Sequence, residues 1–412
     1  MHRTTDILIV GGGPAGMAAA LAASSHANVR VIVIDDNPRL GGQIWRAELG
    51  ATKSTEAGKL IAALDERRIE IITGASVFGV EKDSLLAETH AGRVQIGYQK
   101  LIIATGARER FLPFPGWTLP NVFGAAGLQA LVKGGLDVSG KRIVVAGTGP
   151  LLLVVAEYLR SKGGNVVAIC EQTSNRKFDR FTLGLVRNPS KIFQGLTLRG
   201  RLRRIPYFRN AWIMSAHGRS QLEQVKIRRF GDMIDISCDM LACGFHLVPN
   251  LEVARLLGCR ISNGYVAIDD HQRTSLPGVY CAGEPTGIGG VEAALVEGTI
   301  AGYAASGNAD SARNLFRARR KTTAFAAALS NAFELRDELK QLPDGSTVVC
   351  RCEDVQYKKL TEYTDLRTAK LQTRCGMGPC QGRVCGPAIE FLFGWNDHSV
   401  RPPIVPVRME NL

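Results

Sequence analysis

The sequence predicts an α/β chain of two Rossmann-like dinucleotide-binding units, one inserted in the other, with a small helix-rich cysteine module behind them. Three observations predict it. A Gly-rich turn follows an apolar run at the N-terminus, and a second turn of the same kind recurs at Gly147. Five of the ten cysteines then crowd between Cys350 and Cys385. The length agrees, because 412 residues exceed what one hydrophobic core encloses.

The first unit opens on Asp6–Val10, an apolar run suited to a buried parallel strand. Gly11, Gly12, Gly13, Pro14, Ala15 and Gly16 follow, and then an Ala-rich helix from Met17 to Ser24. Gly11 permits the tight turn, Gly13 lets backbone approach a pyrophosphate, and Gly16 lets the helix pack closely on the strand. The helix N-terminus adds amide donors and positive potential. A second strand, Val29–Ile34, ends at Asp35, nineteen residues beyond Gly16, where a carboxylate accepts from ribose hydroxyls. This fingerprint alone does not separate FAD from NAD.

Three further segments bear on that choice. Asp35–Gln43 runs into a loop containing Gly42 and Gln43; Leu101–Gly106 is a strand ending in Ala104, Thr105 and Gly106. Thr274–Glu284 is a strand closing on Gly283 and Glu284, before a helix from about Val291. With these segments the chain resembles the glutathione-reductase-like two-domain flavoproteins over roughly residues 5–305. The resemblance implies FAD, held by Gly11, Gly13, Pro14, Ala15, Gly16, Asp35, Gly42, Gln43, Ala104, Thr105 and Gly106. It also implies that Gly283 and Glu284 lie beside the ribityl chain. Glu284 departs from the usual Asp.

The second unit repeats the pattern. Lys141–Ala146 reads as a strand, Gly147, Thr148 and Gly149 as the turn, Leu153–Lys162 as the helix, and Asn165–Cys170 as a strand ending at Glu171. Leu152 replaces the third glycine, which loosens the expected packing of helix on strand. Glu171 would accept from an unphosphorylated ribose and repel a 2′-phosphate, which disfavours NADP. Three occupants stay open: NAD, an adenine nucleotide such as ATP held structurally, or none. Cys170, Cys238, Cys243, Cys259 and Cys281 stand apart with no Cys-x-x-Cys among them, so they read as core residues rather than a thiol–disulfide pair.

The expected boundaries are a discontinuous FAD-binding domain of residues 1–118 and 250–308, a second nucleotide-binding domain of 119–249, a helical linker of 309–345, and a cysteine domain of 346–412. In that last domain Cys350-x-Cys352 precedes Cys375, Cys380 and Cys385. Four thiolates suit either zinc or a [2Fe–2S] cluster. A flavin in the same chain needs a one-electron outlet, and zinc offers none. The module resembles the bacterioferritin-associated-ferredoxin type of [2Fe–2S] domain. That resemblance implies Cys350, Cys352, Cys380 and Cys385 as ligands, with Cys375 outside. Pairing Cys375 with Cys380 is the alternative, and the Cys-x4-Cys spacing is longer than the family's Cys-x2-Cys.

Composition sets further bounds. Hydrophobic content of 45% and charged content of 22% are ordinary for a globular protein. The formal charge of +13 concentrates between Arg176 and Arg204, where nine basic residues meet one acid, Asp179. No nucleic-acid-binding motif accompanies it, so the segment reads as a solvated insertion or a docking face for an acidic protein. Ile7–Ala23 imitates a signal peptide, yet its glycines and proline fall in strand–turn–helix order. No other run approaches 18 apolar residues. A cytoplasmic protein without a transmembrane segment is expected, with peripheral membrane contact left open.

Nearly the whole chain resembles the α subunits of heteromeric FAD/[2Fe–2S] amino-acid and opine dehydrogenases, a group with D-hydroxyproline dehydrogenase, octopine and nopaline oxidases and hydrogen cyanide synthase among its members. The resemblance implies an electron-transfer subunit relaying through FAD and the cluster. It also implies an amine-oxidase-like FAD β subunit, with a small γ subunit in some members and FMN at a subunit interface. The implied substrate is an amino acid, imino acid or opine, D-hydroxyproline first. No paired His and carboxylate marks a complete amine-oxidising pocket, so no catalytic residue is assigned. Two other readings remain: a self-sufficient NADH-dependent FAD/iron–sulfur reductase, and a non-catalytic nucleotide-binding scaffold.

Overall fold

In the computed structural model the apolar run at the N-terminus becomes β1 (His2–Val10), which lies between β2 (Val31–Asp35) and β6 (Gly92–Ile103). The structure describes residues 1–25, 29–46, 55–67, 69–396 and 399–412. With β3 (Glu70–Thr73), β4 (Ser76–Glu81) and β5 (Ser84–Thr89), the strand order is β3-β2-β1-β6-β5-β4. The strand Val279–Cys281 runs parallel to the end of β6, pairing with Leu101–Ile103.

Alternation along β1 sends Ile7 and Ile9 into one core and Leu8 and Val10 into the other. Both faces are covered, which is why the strand reads as an unbroken apolar run. Truncating a fully buried side chain such as Ile9 to Ala costs about 2–5 kcal/mol. On the Ile9 face, α1 (Pro14–Ala23) lies against the helix Gly290–Ala305. Their approach depends on small residues: a β-carbon on Gly298 would sit 2.1 Å from the Ala15 carbonyl oxygen, and one on Gly302 2.2 Å from that of Ala19.

The described chain falls into two units. The first takes Met1–Arg108, Val248–Ala327 and His398–Leu412; the second takes Glu109–Leu247 and Ala328–Asp397. In the second, five parallel strands lie in the order Tyr207–Arg209, Asn165–Glu171, Arg142–Gly147, Met240–Gly244, Val122–Gly124. A three-stranded antiparallel sheet, Ala211–His217, Gln224–Arg229 and Asp232–Ser237, covers one face.

This division differs from the sequence boundaries: residues 109–118 join the second unit, the linker is split after Ala327, and two larger differences concern the cysteine module and the last stretch of chain. The cysteine module folds within the second unit: Leu339 and Leu342 are buried in that unit's core, and the Trp117 indole donates to the Val348 carbonyl at 2.6 Å. The last stretch of chain belongs to the first unit instead. Ile404 is buried there and its amide donates to the Phe78 carbonyl at 2.9 Å, while Arg408 and Asn411 both donate to the Glu88 carboxylate. Long-range packing sets both differences, and local composition does not record it.

Candidate cofactor sites

Four segments distant in sequence meet around the start of α1. Gly11 has φ +110°, and a β-carbon there would lie 2.2 Å from the Ala104 carbonyl oxygen. One on Gly13 would have a single neighbour, the Gly42 α-carbon at 3.8 Å, and one on Gly16 would strike the Gly11 carbonyl oxygen at 1.8 Å. Gly283 stands against Ala15, 2.9 Å from its β-carbon by the same construction. The expected residues 11–16, 42, 104 and 283 therefore share one site, with Gln43 exposed beside it. Gly13 caps α1 without a side chain, so the first helical amides point at whatever fills the site.

Asp35 is buried at the end of β2. Its Oδ2 accepts from the Gly12 amide at 2.5 Å and its Oδ1 from the Asn37 amide at 2.7 Å. Thr105 and Gly106 are held by a residue that sequence reasoning missed. The Asn250 side-chain amide donates to the Thr105 carbonyl at 2.8 Å, and the Thr105 hydroxyl donates to the Asn250 carbonyl at 2.7 Å.

Glu284 has one satisfied oxygen. Its Oε1 accepts from the Gly290 amide at 3.0 Å, whereas Oε2 is buried with no hydrogen-bond partner among the described residues. Burial pushes the carboxyl up to about 7. An unpartnered, enclosed carboxyl oxygen beside Gly283 suits a ligand hydroxyl. Glu297 is a second residue missed: its carboxylate accepts from the Gly283 amide at 2.9 Å and the Thr286 hydroxyl at 2.7 Å, fixing this loop. The one available signal was an acid inside an Ala/Gly-rich helix.

The second turn follows the first in part. Gly147 has φ +140°, with the Gly244 carbonyl oxygen 2.0 Å from an added β-carbon. Leu152, in place of the third glycine, is wholly buried. Glu171 is also sealed from solvent: Oε2 accepts from the Gly149 amide at 2.7 Å and Oε1 from the Thr173 amide at 2.8 Å. Burial raises its carboxyl to about 7.

In the cysteine module the sulfurs of Cys350, Cys375 and Cys385 lie within 4.8 Å of one another, all buried. Cys352 is exposed and Cys380 half-buried, and their thiols are within hydrogen-bonding reach. The turn between them is tight: a β-carbon on Gly378 would lie 2.3 Å from that of Cys352. Of the four expected ligands, the structure brings Cys350 and Cys385 together with Cys375, the residue expected outside, and leaves Cys352 and Cys380 beside each other. Three thiols this close can supply part of the ligand set of a metal centre bound by four sulfurs. A cavity of about 480 Å³ borders them, walled on its other side by Phe111, Trp117 and Phe123. Cys170, Cys238, Cys243, Cys259 and Cys281 are all buried, and burial raises the first two thiols to about 12.

The basic segment forms the helices Asn175–Gly184 and Pro189–Arg201, neither of which buries a residue. Leu183, Val186, Phe193 and Leu196 stand 67–75% exposed along this stretch. Among the described residues, no helix is long and apolar enough to cross a membrane.

Two sheets whose strands run parallel around Gly-rich turns, one carrying a converged cradle, define an oxidoreductase flavoprotein of the two-nucleotide-domain class. The chain belongs to the pyridine nucleotide-disulphide oxidoreductase family, whose pattern matches residues 5–298. It is similar to hydrogen cyanide synthase subunit HcnB of Pseudomonas protegens, at 31% identity over 92% of this chain and 89% of that protein. It is similar also to an opine oxidase subunit of Rhizobium meliloti, at 31% identity over 98% of this chain and 97% of the relative. The L-proline dehydrogenase structure from P. horikoshii shares the fold, with a TM-score of 0.71 at 21% identity, covering 100% of this chain and 80% of that one.

Proposed function

We propose that this chain is the electron-transfer subunit of a heteromeric dehydrogenase that oxidises an amino acid, imino acid or opine, with D-hydroxyproline the first substrate to try. The observation that carries the reading is one polypeptide holding both the cradle around Gly11–Gly16, Ala104 and Gly283 and a group of converged cysteine sulfurs. When bound there, FAD would supply a two-electron acceptor and a [2Fe–2S] cluster a one-electron carrier. The chain's own residues supply binding and orientation. Uncapped amides of α1 meet the pyrophosphate, Asp35 fixes the turn beneath the adenosine half, and the free Glu284 oxygen accepts a ribityl hydroxyl.

Cys350, Cys352, Cys380 and Cys385 are the proposed cluster ligands. The 4.8 Å grouping of Cys350, Cys375 and Cys385 favours a different set, in which Cys375 replaces Cys352 or Cys380 rather than Cys385. Two of the relatives are named as subunits, which supports a partner polypeptide for this chain. An amine-oxidase-like β subunit is the proposed partner, docking on the basic, apolar-tipped helices Asn175–Gly184 and Pro189–Arg201, where charge complementarity would steer association.

The experiment is an assay of the chain alone, loaded with FAD and iron, against proline, hydroxyproline and opines with a dye acceptor. The lone chain should be inactive and gain turnover when its partner is added. Turnover by the lone chain at the rate of the complex would refute the relay.

A further inference from the structure

We infer that the second dinucleotide-binding unit is filled by the chain's own segment Phe333–Arg336, which bars pyridine nucleotides from it and makes Phe333 and Arg336 determinants of electron-donor specificity. The consequence for electron donor rests on the relay reading, whereas the occupancy stands on geometry alone.

In open parallel sheets, ligands bind beyond the carboxyl ends of the strands where the strand order reverses. Here the central strand is Arg142–Gly147, flanked by Asn165–Glu171 and Met240–Gly244. The residues just past those three strand ends include Thr148, Gln172 and His246, and all three grip the segment. The Thr148 hydroxyl donates to the Phe333 carbonyl at 2.9 Å, and His246 Nε2 donates to the same oxygen at 2.7 Å. A carbonyl only accepts, so the neutral His246 must carry its proton on Nε2; burial holds its pKa below the usual value. Gln172 Nε2 donates to the Glu334 carbonyl at 3.0 Å, while its Oε1 accepts from the Arg336 amide at 3.3 Å.

Side chains complete the closure. The Phe333 ring is 3% exposed and meets Phe178 and Phe181 edge-on, with centroids 6.2 and 5.1 Å away. A β-carbon on Gly149 would lie 3.8 Å from the Phe333 Cγ, so the ring covers the glycine a pyrophosphate would approach. Arg336 donates to the Gln172 carbonyl at 3.2 Å and to Asn210 Oδ1 at 2.9 Å, with its guanidinium 3.9 Å over the Trp212 ring. The Glu334 carboxylate faces solvent and pairs with Lys177 at 3.1 Å, a further tie between the segment and the helix Asn175–Gly184. The segment therefore does sterically and by hydrogen bonding what a bound nucleotide would do: it covers the Gly-rich turn and satisfies the polar groups at the strand ends.

The test uses the full chain loaded with FAD and iron. Binding of NADH, NAD⁺ and ATP is measured calorimetrically up to about 1 mM, and flavin absorbance is followed anaerobically after NADH is added. The native chain should show neither saturable binding nor bleaching. Phe333→Ala and Arg336→Ala, checked for unchanged circular dichroism and iron content, should each gain at least about tenfold in nucleotide affinity. Saturable binding to the native chain would overturn the inference. So would an absence of any gain in both variants, because the bar would then not be the segment. Nucleotide binding to the native chain without flavin reduction would sink this inference and leave the relay standing; amine turnover by the lone chain would do the reverse.

Discussion

Gly283 lies against Ala15, so close that a β-carbon added to it would sit 2.9 Å from the Ala15 β-carbon. This contact ties a late segment of the first unit to the N-terminus of α1, although the two residues are 268 positions apart. It also places Glu284 and its unpartnered oxygen at the same cradle as the Gly-rich turn.

The cradle separates two glycine effects. A β-carbon at position 13 has room, its one neighbour being the Gly42 α-carbon at 3.8 Å. Gly13→Ala should therefore leave the apoprotein folded, with a melting temperature close to native, while FAD affinity falls by at least about tenfold as the pyrophosphate loses its approach. At position 11 the added carbon would lie 2.2 Å from a backbone oxygen at φ +110°. Gly11→Ala should then unfold the apoprotein more easily, by about 1–3 kcal/mol or more. A Gly13→Ala protein that retains full flavin at equilibrium would remove the assignment of this site.

The buried Glu284 carboxyl gives a pH dependence whose sign is fixed. Its pKa is raised from 4.5 to about 7 in the folded apoprotein, chiefly by burial. Below pH 4.5 it is neutral in both states and costs nothing. As pH rises toward 7 the unfolded chain releases its proton and the folded chain does not, so stability is lost across that window. The loss is on the order of 3 kcal/mol when complete. Glu284→Gln keeps the acceptor facing the Gly290 amide and should flatten this part of a urea-unfolding pH profile. A profile identical to native between pH 4.5 and 7 would show that the carboxyl is not buried as described.

Iron should be present at roughly two atoms per chain with two acid-labile sulfides. Cys350→Ser and Cys385→Ser should each lose the centre, since both belong to the proposed set and to the buried trio. The expected result for Cys375→Ser is retention. If it loses iron while Cys380→Ser keeps it, the ligand set moves to the buried trio plus Cys352, and the centre itself stands.

The sequence was most legible where backbone geometry dictates residue type. Gly11, Gly16 and Gly147 are forced by positive φ or by a carbonyl closer than about 2.5 Å to any added carbon, so the turns announce themselves. Strand ends were less so: β1 begins at His2 rather than Asp6 because His2–Thr5 pair with Gln95–Tyr98, a distant partner. Asn250 and Glu297 were hidden because they act on backbone groups of the motif loops, 145 and 14 positions away, and neither carries a motif of its own. Phe333–Arg336 read as polar linker for the same reason. Its anchors, Thr148 and Gln172, lie more than 150 positions upstream. Which sulfurs converge was not readable either, since Cys350, Cys375 and Cys385 are brought together from segments 25 and 10 residues apart by packing that the spacing does not record.

The exposed helices Asn175–Gly184 and Pro189–Arg201 give the last prediction. A helix in a globular protein normally buries an apolar stripe, and most of its stability comes from that burial. These two bury no residue, yet Leu183, Phe193 and Leu196 on them, and Val186 in the turn between, stand at the surface. Arg176 and Arg180 lie exposed on the first helix, and Arg199 and Arg201 on the second. The apolar tips suit the core of an interface, and the arginines its rim. Phe193→Asp and Leu196→Asp should leave the melting temperature of the lone chain nearly unchanged, because both side chains are already in water. Association with the partner subunit should weaken by about 10- to 100-fold, as expected when central apolar anchors are lost. Arg180→Glu, in contrast, should act mainly on the association rate and its salt dependence. Surface plasmon resonance of the three variants separates these effects. Native association rates and affinities in all three would exclude these helices from the interface.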